Sequence, residues 1–575
     1  MRCSDALRIL LLATVAGCRP PAERPRPVEP SPPTVGKSSV SAVEAVSHQT
    51  HIRFEERAAS AGVEFVYRNG EEMGKLVILE SLGGGVGLVD YDQDGDLDLF
   101  FQGGGSFTED VRVVGRAGAL FRQEAPWQFT AVTKPAGVGS DARYTHGAAV
   151  ADADNDGFPD ILITGYGGLL YFRNNGDGTF TESATESGLN DPLWSSSAAW
   201  GDLNEDGVPD LYVAHYVNWS RDNHPRCGSL HEGRDDVCPP KRFDPLPDVL
   251  YFGRGDGTFR DGSRDAGLSL LGKGLGVLIA DVDLDGHQDV YVANDTVANF
   301  LYRNTGDGQL EDISDSSGTS VNDRGLPDGS MGIDVGDYNL DGLPDIWVAN
   351  YERENFALYR NLGNCMFRHV SQSVGITAIG SFQVGWGTRF LDADLDGDED
   401  IVVSNGHVIH FPMHSPKLQR PLMLENLEGK RFINVTDQTG SYMMSPHAGR
   451  GLATGDLDGD GDEDIVISHQ NESVELLSNE SLERGHSLVV RVIGRESCRT
   501  AIGAVAVAKV QDRKLMRQIR SGTSYASSSD PRLFFGCGAA QIVDELIVTW
   551  TSGRTIRLTN IPCNQVVTVL EPKAP

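Results

Sequence analysis

Short apolar runs recur along this chain, and their lengths set its architecture. "ILITG" (161 to 165), "LYVAH" (211 to 215), "VYVAN" (290 to 294), "IWVAN" (346 to 350), "IVVSN" (401 to 405) and "IVISH" (465 to 469) are too short for helices. They are β-branched and alternating, which predicts strands and excludes an α-solenoid. Most are followed by a hairpin such as "LYFRNNGDGTF" (170 to 180), "LYFGRGDGTF" (250 to 259) or "LYRNTGDGQL" (301 to 310), where Asn-Gly and Asp-Gly mark tight turns. A further signature closes each unit: an aromatic or Leu, a polar stretch and Gly, as in "FTESATESG" (180 to 188) and "FRDGSRDAG" (259 to 267).

Each apolar run is entered through an acidic phrase, Asp-x-(Asp/Asn)-x-Asp-Gly-x-x-Asp. It begins at Asp90, Asp152, Asp202, Asp281, Asp337, Asp392 and Asp456, with spacings of 62, 50, 79, 56, 55 and 64 residues. Four short strands per repeat at this period predict an all-β chain, a seven-bladed β-propeller followed by a small C-terminal β-sandwich-like domain. "HIRFEERAASAG" opens the array as an outer strand with no hairpin before it, whereas "IVISHQNESVELLSNES" after the seventh loop lacks one. The N-terminal strand is therefore expected to complete the last blade and close the ring. From Gly485 the texture changes to strands such as "HSLVVRVIG", "IGAVAVAKV" and "DELIVTWTSG" with no acidic loop. The expected divisions are a lipoprotein-type signal peptide over 1–18, a Pro-rich linker over 19–50, the propeller over 51–484 and a separate domain over 485–575, large enough to fold alone.

Charge sharpens the picture. The formal net charge is -33, but 32 of the 82 acidic residues sit in the seven nine-residue loops, which hold no Lys or Arg. Outside them 50 acids face 49 bases, so the acidity belongs to the loops. No clustered basic patch points to nucleic acid.

Carboxylates at alternate positions of a tight turn suit a hard cation that takes six to eight oxygens, and calcium meets that description. The candidate ligands are Asp90, Asp92, Asp94 and Asp98 in the first loop and Asp152, Asp154, Asp156 and Asp160 in the second. Asp202, Asn204, Asp206 and Asp210 follow, then Asp281, Asp283, Asp285 and Asp289, then Asp337, Asn339, Asp341 and Asp345. Asp392, Asp394, Asp396 and Asp400, and Asp456, Asp458, Asp460 and Asp464, complete up to seven Ca2+ sites. The closing acid comes at position nine rather than twelve, so these are not EF-hands. A single Asp-rich turn satisfied by its own backbone is the plainer reading, and seven copies with the same oxygen-bearing positions argue against it.

The repeated loops resemble the FG-GAP/VCBS repeats of integrin α-chain propellers. "AIGAVAVAKVQDRKLMRQIRSGTSYASSSDPRLFFGCG" with "VDELIVTWTSGRTIRL" resembles the ASPIC/UnbV domain, and the combination is similar to the bacterial relatives of cartilage acidic protein. The resemblance implies calcium binding and an extracytoplasmic location and lends no settled activity. Cys537 stands where "FGLG" is usual, and Cys365 interrupts a Gly-Asp-Gly hairpin.

"MRCSDALRILLLATVAGC" reads as an export signal, and "TVAGC" resembles a lipobox with Cys18 as the lipidated residue. The Pro-rich stretch after it reads as an extended spacer, so the chain is expected to be exported and lipid-anchored to a bacterial cell envelope. Cys227 and Cys238, in the Pro-rich insertion that lengthens the third interval, are the expected disulfide, while the pairing of Cys365, Cys498, Cys537 and Cys563 is open.

Two function classes follow. A binding or adhesion scaffold for an extracytoplasmic protein or glycan is expected, since no nucleophile elbow, zinc-helix motif or phosphate loop appears. The alternative is a propeller enzyme acting on a polysaccharide or small molecule at the central channel. Its local support is "NGHVIHFPMHSP", with His407, His410 and His414, which could hold a metal or supply a base; the plainer reading is a polar loop. No catalytic residue is assigned.

Overall fold

A computed structural model describes residues 48–228, 233–379 and 381–573. The predicted leader, Cys18 and most of the spacer lie outside the described residues.

Seven four-stranded antiparallel sheets follow one another along the chain. The second blade is typical: Tyr144–Ala151, Asp160–Tyr166, Leu170–Asn174 and Phe180–Glu182, from the inner strand outward. The last sheet takes Gly449–Gly455, Asp464–His469 and Glu475–Asn479 from its own repeat and Phe54–Glu56 from the start of the chain. Phe54 pairs with Asn479 and Glu56 with Leu477, so the first strand closes the ring. Neighbouring inner strands pack against each other all the way round, and Gly449–Gly455 meets Val86–Val89 of the first blade.

Alternation is weaker than the sequence predicts. Asp464–His469 and Asp345–Asn350 are buried at every position, because a blade is covered on both faces by its neighbours. Apolar clusters accordingly lie between blades: Leu88, Leu99 and Phe101 of the first pack with Ala453 and Val466 of the last.

The C-terminal segment forms two sheets, one of Leu533–Gly538, His486–Ile493 and Gln565–Leu570, the other of Arg513–Gln518, Val505–Val510, Ile542–Thr549 and Thr555–Pro562. It packs closely on the ring. Residues from Gln49 onward form one compact unit, and Trp200, Tyr171 and Phe259 of the ring share a cluster with Leu488, Val548 and Trp550. The loop joining Arg513–Gln518 to Leu533–Gly538 enters the centre of the ring. Ser527 Oγ and Ser528 O accept from Val86 and Leu88, Ala526 O from Ala148, and Ser521 Oγ and O from Trp200 and Ile279. Ser524 O accepts from Ile333, Ser524 Oγ from Thr388, and Ser529 Oγ from Thr454, so all seven inner strands are engaged. Gly85 shows how tight the fit is: a Cβ there would lie 1.9 Å from Ala526 O. The central channel is filled by the protein's own chain.

Candidate functional site

Each inner strand runs straight into its acidic loop, so the seven loops share one face of the ring. The bend is made by two left-handed residues. Position six is glycine, as Gly157 (φ 104°) and Gly286 (φ 99°), but position four includes Leu284, Leu340 and Leu395 at φ between 56° and 59°. A leucine held there costs roughly 1–2 kcal/mol, so the rest of the loop imposes the turn.

The first-position carboxylate caps that turn. Asp152, Asp202, Asp281 and Asp392 each accept the N–H of the sixth-position glycine on Oδ2, at 2.9 to 3.1 Å. The other oxygen, Oδ1, is buried without a donor in Asp90, Asp152, Asp202 and Asp392. Third-position Asp92 Oδ1 has no hydrogen-bond partner either, whereas Asp154 Oδ2 is held by the Arg173 guanidinium. In the first, second, fourth and sixth loops one oxygen from each of positions one, three and five lies within 4.8 Å of the others. Burial, and like charges in addition, pushes the Asp152, Asp202 and Asp337 carboxyls up to about 7. Orphaned, converging, all-oxygen donors fit a divalent hard cation of the calcium type.

The ninth-position aspartate braces the loop through backbone amides, and in the fourth loop Asp289 also has an oxygen within 4.8 Å of Asp283. Asp160 accepts from Ala153 N (3.2 Å), Asn174 N (2.8 Å) and Tyr171 Oη (2.7 Å). Asp98, Asp210, Asp289, Asp400 and Asp464 likewise tie the loop's second residue to the third strand through backbone amides. Asp345 accepts from Asn361 N at 2.7 Å and leaves Oδ2 unpaired.

Sequence reasoning missed a second repeated residue. The Asn that ends the third strand reaches back to the preceding blade, donating to the carbonyl of its loop's second residue. Asn174 donates to Tyr91, Asn304 to Leu203, Asn361 to Val282, Asn426 to Tyr338 and Asn479 to Ala393, at 2.7 to 2.9 Å. Gln123 does the same for Leu457, and the third blade has Gly253 instead. The visible signal was the Asn that ends the third strand in five of the seven repeats. These latches make loop geometry a property of the ring rather than of one blade.

The opposite face carries the long connections. Cys227 and Cys238 form the expected disulfide, with Cα atoms 5.2 Å apart. Beside it Asp236 accepts the backbone N–H of His410 (3.0 Å) and of Phe411 (3.1 Å), and Arg234 lies over the Phe411 ring. The insertion and the histidine segment therefore meet. His407, buried, has Nε2 3.6 Å from Glu352; His410 Nε2 lies 3.1 Å from Glu80; His414 Nε2 faces Arg353. Burial pulls the His407 imidazole down, partly offset by Glu352. The histidines meet charged groups of other blades, but each has its own partner and they do not share one point. Underneath, fully buried Arg450 donates to His407 O and Gly406 O and stacks over Trp386, against which Tyr525 of the central loop also packs.

The buried carboxyls carry a pH prediction. Their folded pKa lies above the unfolded value near 3.8, so the ion-free protein holds more protons than the unfolded chain between about pH 4 and 7. Stability of the stripped protein is expected to fall as pH rises through that window. Melting curves in metal-free buffer at pH 5 and pH 8 check this, and a higher melting temperature at pH 8 would overturn it.

Comparison with known proteins gives three results. The ASPIC and UnbV family model matches residues 494–575, and the FG-GAP-like repeat model matches 90–163, 152–213, 281–348 and 337–403. Mouse (Mus musculus) cartilage acidic protein 1 is 25% identical over 524 residues, covering 78% of each chain. The human (Homo sapiens) protein of that name is 25% identical over 85% of this chain and 71% of its own. Among solved structures, an Agrocybe aegerita lectin described as recognising non-reducing terminal N-acetylglucosamine aligns over 69% of this chain and 94% of its own, at 17% identity and a TM-score of 0.40. A BBS1N chain solved with ARL6DN aligns over 75% and 97%, at 10% identity and a TM-score of 0.39.

Proposed function

From a chain that carries FG-GAP-like repeats and an ASPIC and UnbV domain, and is homologous to cartilage acidic protein 1 at 25% identity, we infer a calcium-stiffened extracellular binding scaffold. Positions one, three and five of each loop would hold calcium, whose charge would add to that of the arginines reaching the second, fourth, fifth and seventh loops. The chain's own part is to hold those oxygens in place through the left-handed turn, the ninth-position brace and the Asn latches. The face opposite the loops would then be the recognition surface, for an extracytoplasmic protein or glycan.

One observation carries this assignment of faces. Asp236 of the disulfide-stapled insertion accepts two amides of the histidine segment, so two sequence-distant connections form one continuous surface. The catalytic alternative draws on an open central channel, whose middle the loop 519–530 occupies by bonding to all seven inner strands. Export is supported by the disulfide, and no helix among the described residues is long and apolar enough to cross a membrane. Anchoring through a lipid on Cys18 completes the proposal.

The test shortens residues 219–244 to a tight turn. Capture of ligand from native cell-envelope material should be lost while the response of melting to calcium is retained. Equal capture by both forms would place the recognition surface elsewhere.

A further inference from the structure

The residue before the latch position repeats as well, and the scaffold reading gives it no part. It is arginine in four blades (Arg122, Arg173, Arg303 and Arg360), Phe252 in the third, Glu425 in the sixth and Ser478 in the seventh. In three blades the arginine folds back onto the acidic loop of its own blade. The Arg173 guanidinium holds Asp154 Oδ2. Arg303 reaches Asp283 Oδ2 through Nε (3.3 Å) and Asp285 Oδ2 through Nη2 (3.2 Å). Arg360 Nη2 lies 2.9 Å from Asp341 Oδ2. The seventh blade arrives there by another route. Arg484, from the segment leading into the C-terminal sheets, takes Asp460 (2.5 Å) and Asp462.

The loops are therefore not equivalent. Among the described residues, the ion pairs made by loop positions one, three and five are all to arginine. They fall only in the second, fourth, fifth and seventh loops. In the first blade Arg122 turns to Glu124 instead, with Nε 3.1 Å from Oε1. In the sixth, Arg513 donates to the backbone carbonyl of Asp396 (2.6 Å). The first and sixth loops thus keep three aspartates at the ligand positions with no guanidinium on any of them. The third has Asn204 in place of one carboxylate, and the fifth has both Asn339 and Arg360.

Charge count is what tunes calcium affinity in oxygen cages. A guanidinium on a ligand carboxylate holds an oxygen that the ion needs, through a charge-assisted hydrogen bond. If it stays, it repels the incoming cation. The four arginine side chains are 34 to 45% exposed and can swing into solvent, whereas Asp154 and Asp283 are 2% and 6% exposed and stay where the loop puts them. Each arginine is thus placed as an internal counter-ion, holding its loop together when calcium is scarce.

We propose that these arginines sort the seven loops into two calcium classes. The first and sixth bind tightly, and the others bind roughly tenfold or more weakly, the second, fourth and seventh because a guanidinium competes for their carboxylates. The proposal rests on the calcium reading and adds to it an order of filling, which leaves most of the ring braced by its own side chains at low calcium.

The test measures calcium bound per full-length chain by equilibrium dialysis across a range of free calcium, and melting in excess chelator and in saturating calcium. The expected wild-type result is about two tight ions, with the rest filling at roughly tenfold or more higher calcium. In the double variant Arg173→Gln with Arg303→Gln the tight class should grow to about four. Its melting temperature should fall in chelator and stay unchanged in saturating calcium. Seven equivalent sites in the wild type overturn the inference and leave the calcium reading standing. So does weaker calcium binding by the double variant, which would make the arginines supports of the ligands. A melting temperature lowered equally in chelator and in calcium, with affinities unchanged, overturns it too, since the arginines would then be structural only. Absence of bound calcium sinks the calcium reading itself, and this inference falls with it.

Discussion

Stripping divalent ions from this protein is expected to lower its melting temperature by roughly 10 °C or more. If free calcium stands tenfold above the dissociation constant, each site contributes about 1.4 kcal/mol to folding. Seven loops then supply roughly 10 kcal/mol, comparable with the whole stability of a typical domain. Unfolding entropy near 2.1 cal/mol/K per residue, over the unit that begins at Gln49, sets the conversion to about 10 °C. The geometry makes the effect cooperative, because each latching Asn or Gln bonds the loop of the preceding blade. A loop that splays on losing its ion therefore loosens a blade interface as well. Asp156→Ala or Asp285→Ala should each remove one site and lower the melting temperature by a degree or two. Calorimetry with and without excess chelator decides the matter; superimposable curves would sink the calcium assignment.

The second large effect concerns the loop in the ring's centre. Truncation after residue 484 is expected to leave no soluble, cooperatively melting propeller. It removes the partners of inner-strand amides on all seven blades and strips the cover from Trp200 and Leu211. Unpartnered buried amides cost about 1–3 kcal/mol each. A finer probe is Asp334, fully buried, whose carboxylate takes Arg520 at 2.8 Å and Arg389 at 3.4 Å. Against the pull of burial, those guanidiniums hold it below the usual carboxylate range. Asp334→Ala leaves two buried cations short of a counter-charge and should cost about 3–5 kcal/mol. An independently stable 51–484 fragment with an unchanged transition would show that the C-terminal sheets are an appendage.

Local chemistry accounts for what could be read without coordinates. An acidic loop, a β-branched run and a Gly-rich turn each act over a few residues, so their order along the chain announced the repeat, the loops and the closing role of Phe54–Glu56. The Cys227–Cys238 bridge was readable for the same reason, since both residues lie in one short insertion. Within each loop the oxygen-bearing positions were visible, but their division of labour was not. Only the fold shows Asp160 turned toward the amides of Ala153 and Asn174 while Asp152 keeps an oxygen open, because the donors come from a different strand.

The sequence by itself determined a propeller of acidic repeats and a change of texture at Gly485, because strand period, turn residues and alternating carboxylates are local properties. The tertiary structure alone decided how closely the second region packs on the ring. Hydrogen bonds between Ser521–Ser529 and strands 75 to 441 residues earlier have no local signature, and "SGTSYASSSD" reads as an ordinary polar loop until seven inner strands present their amides to it. The face opposite the acidic loops was decided the same way, since Asp236, His410 and Glu80 come together only when the ring closes.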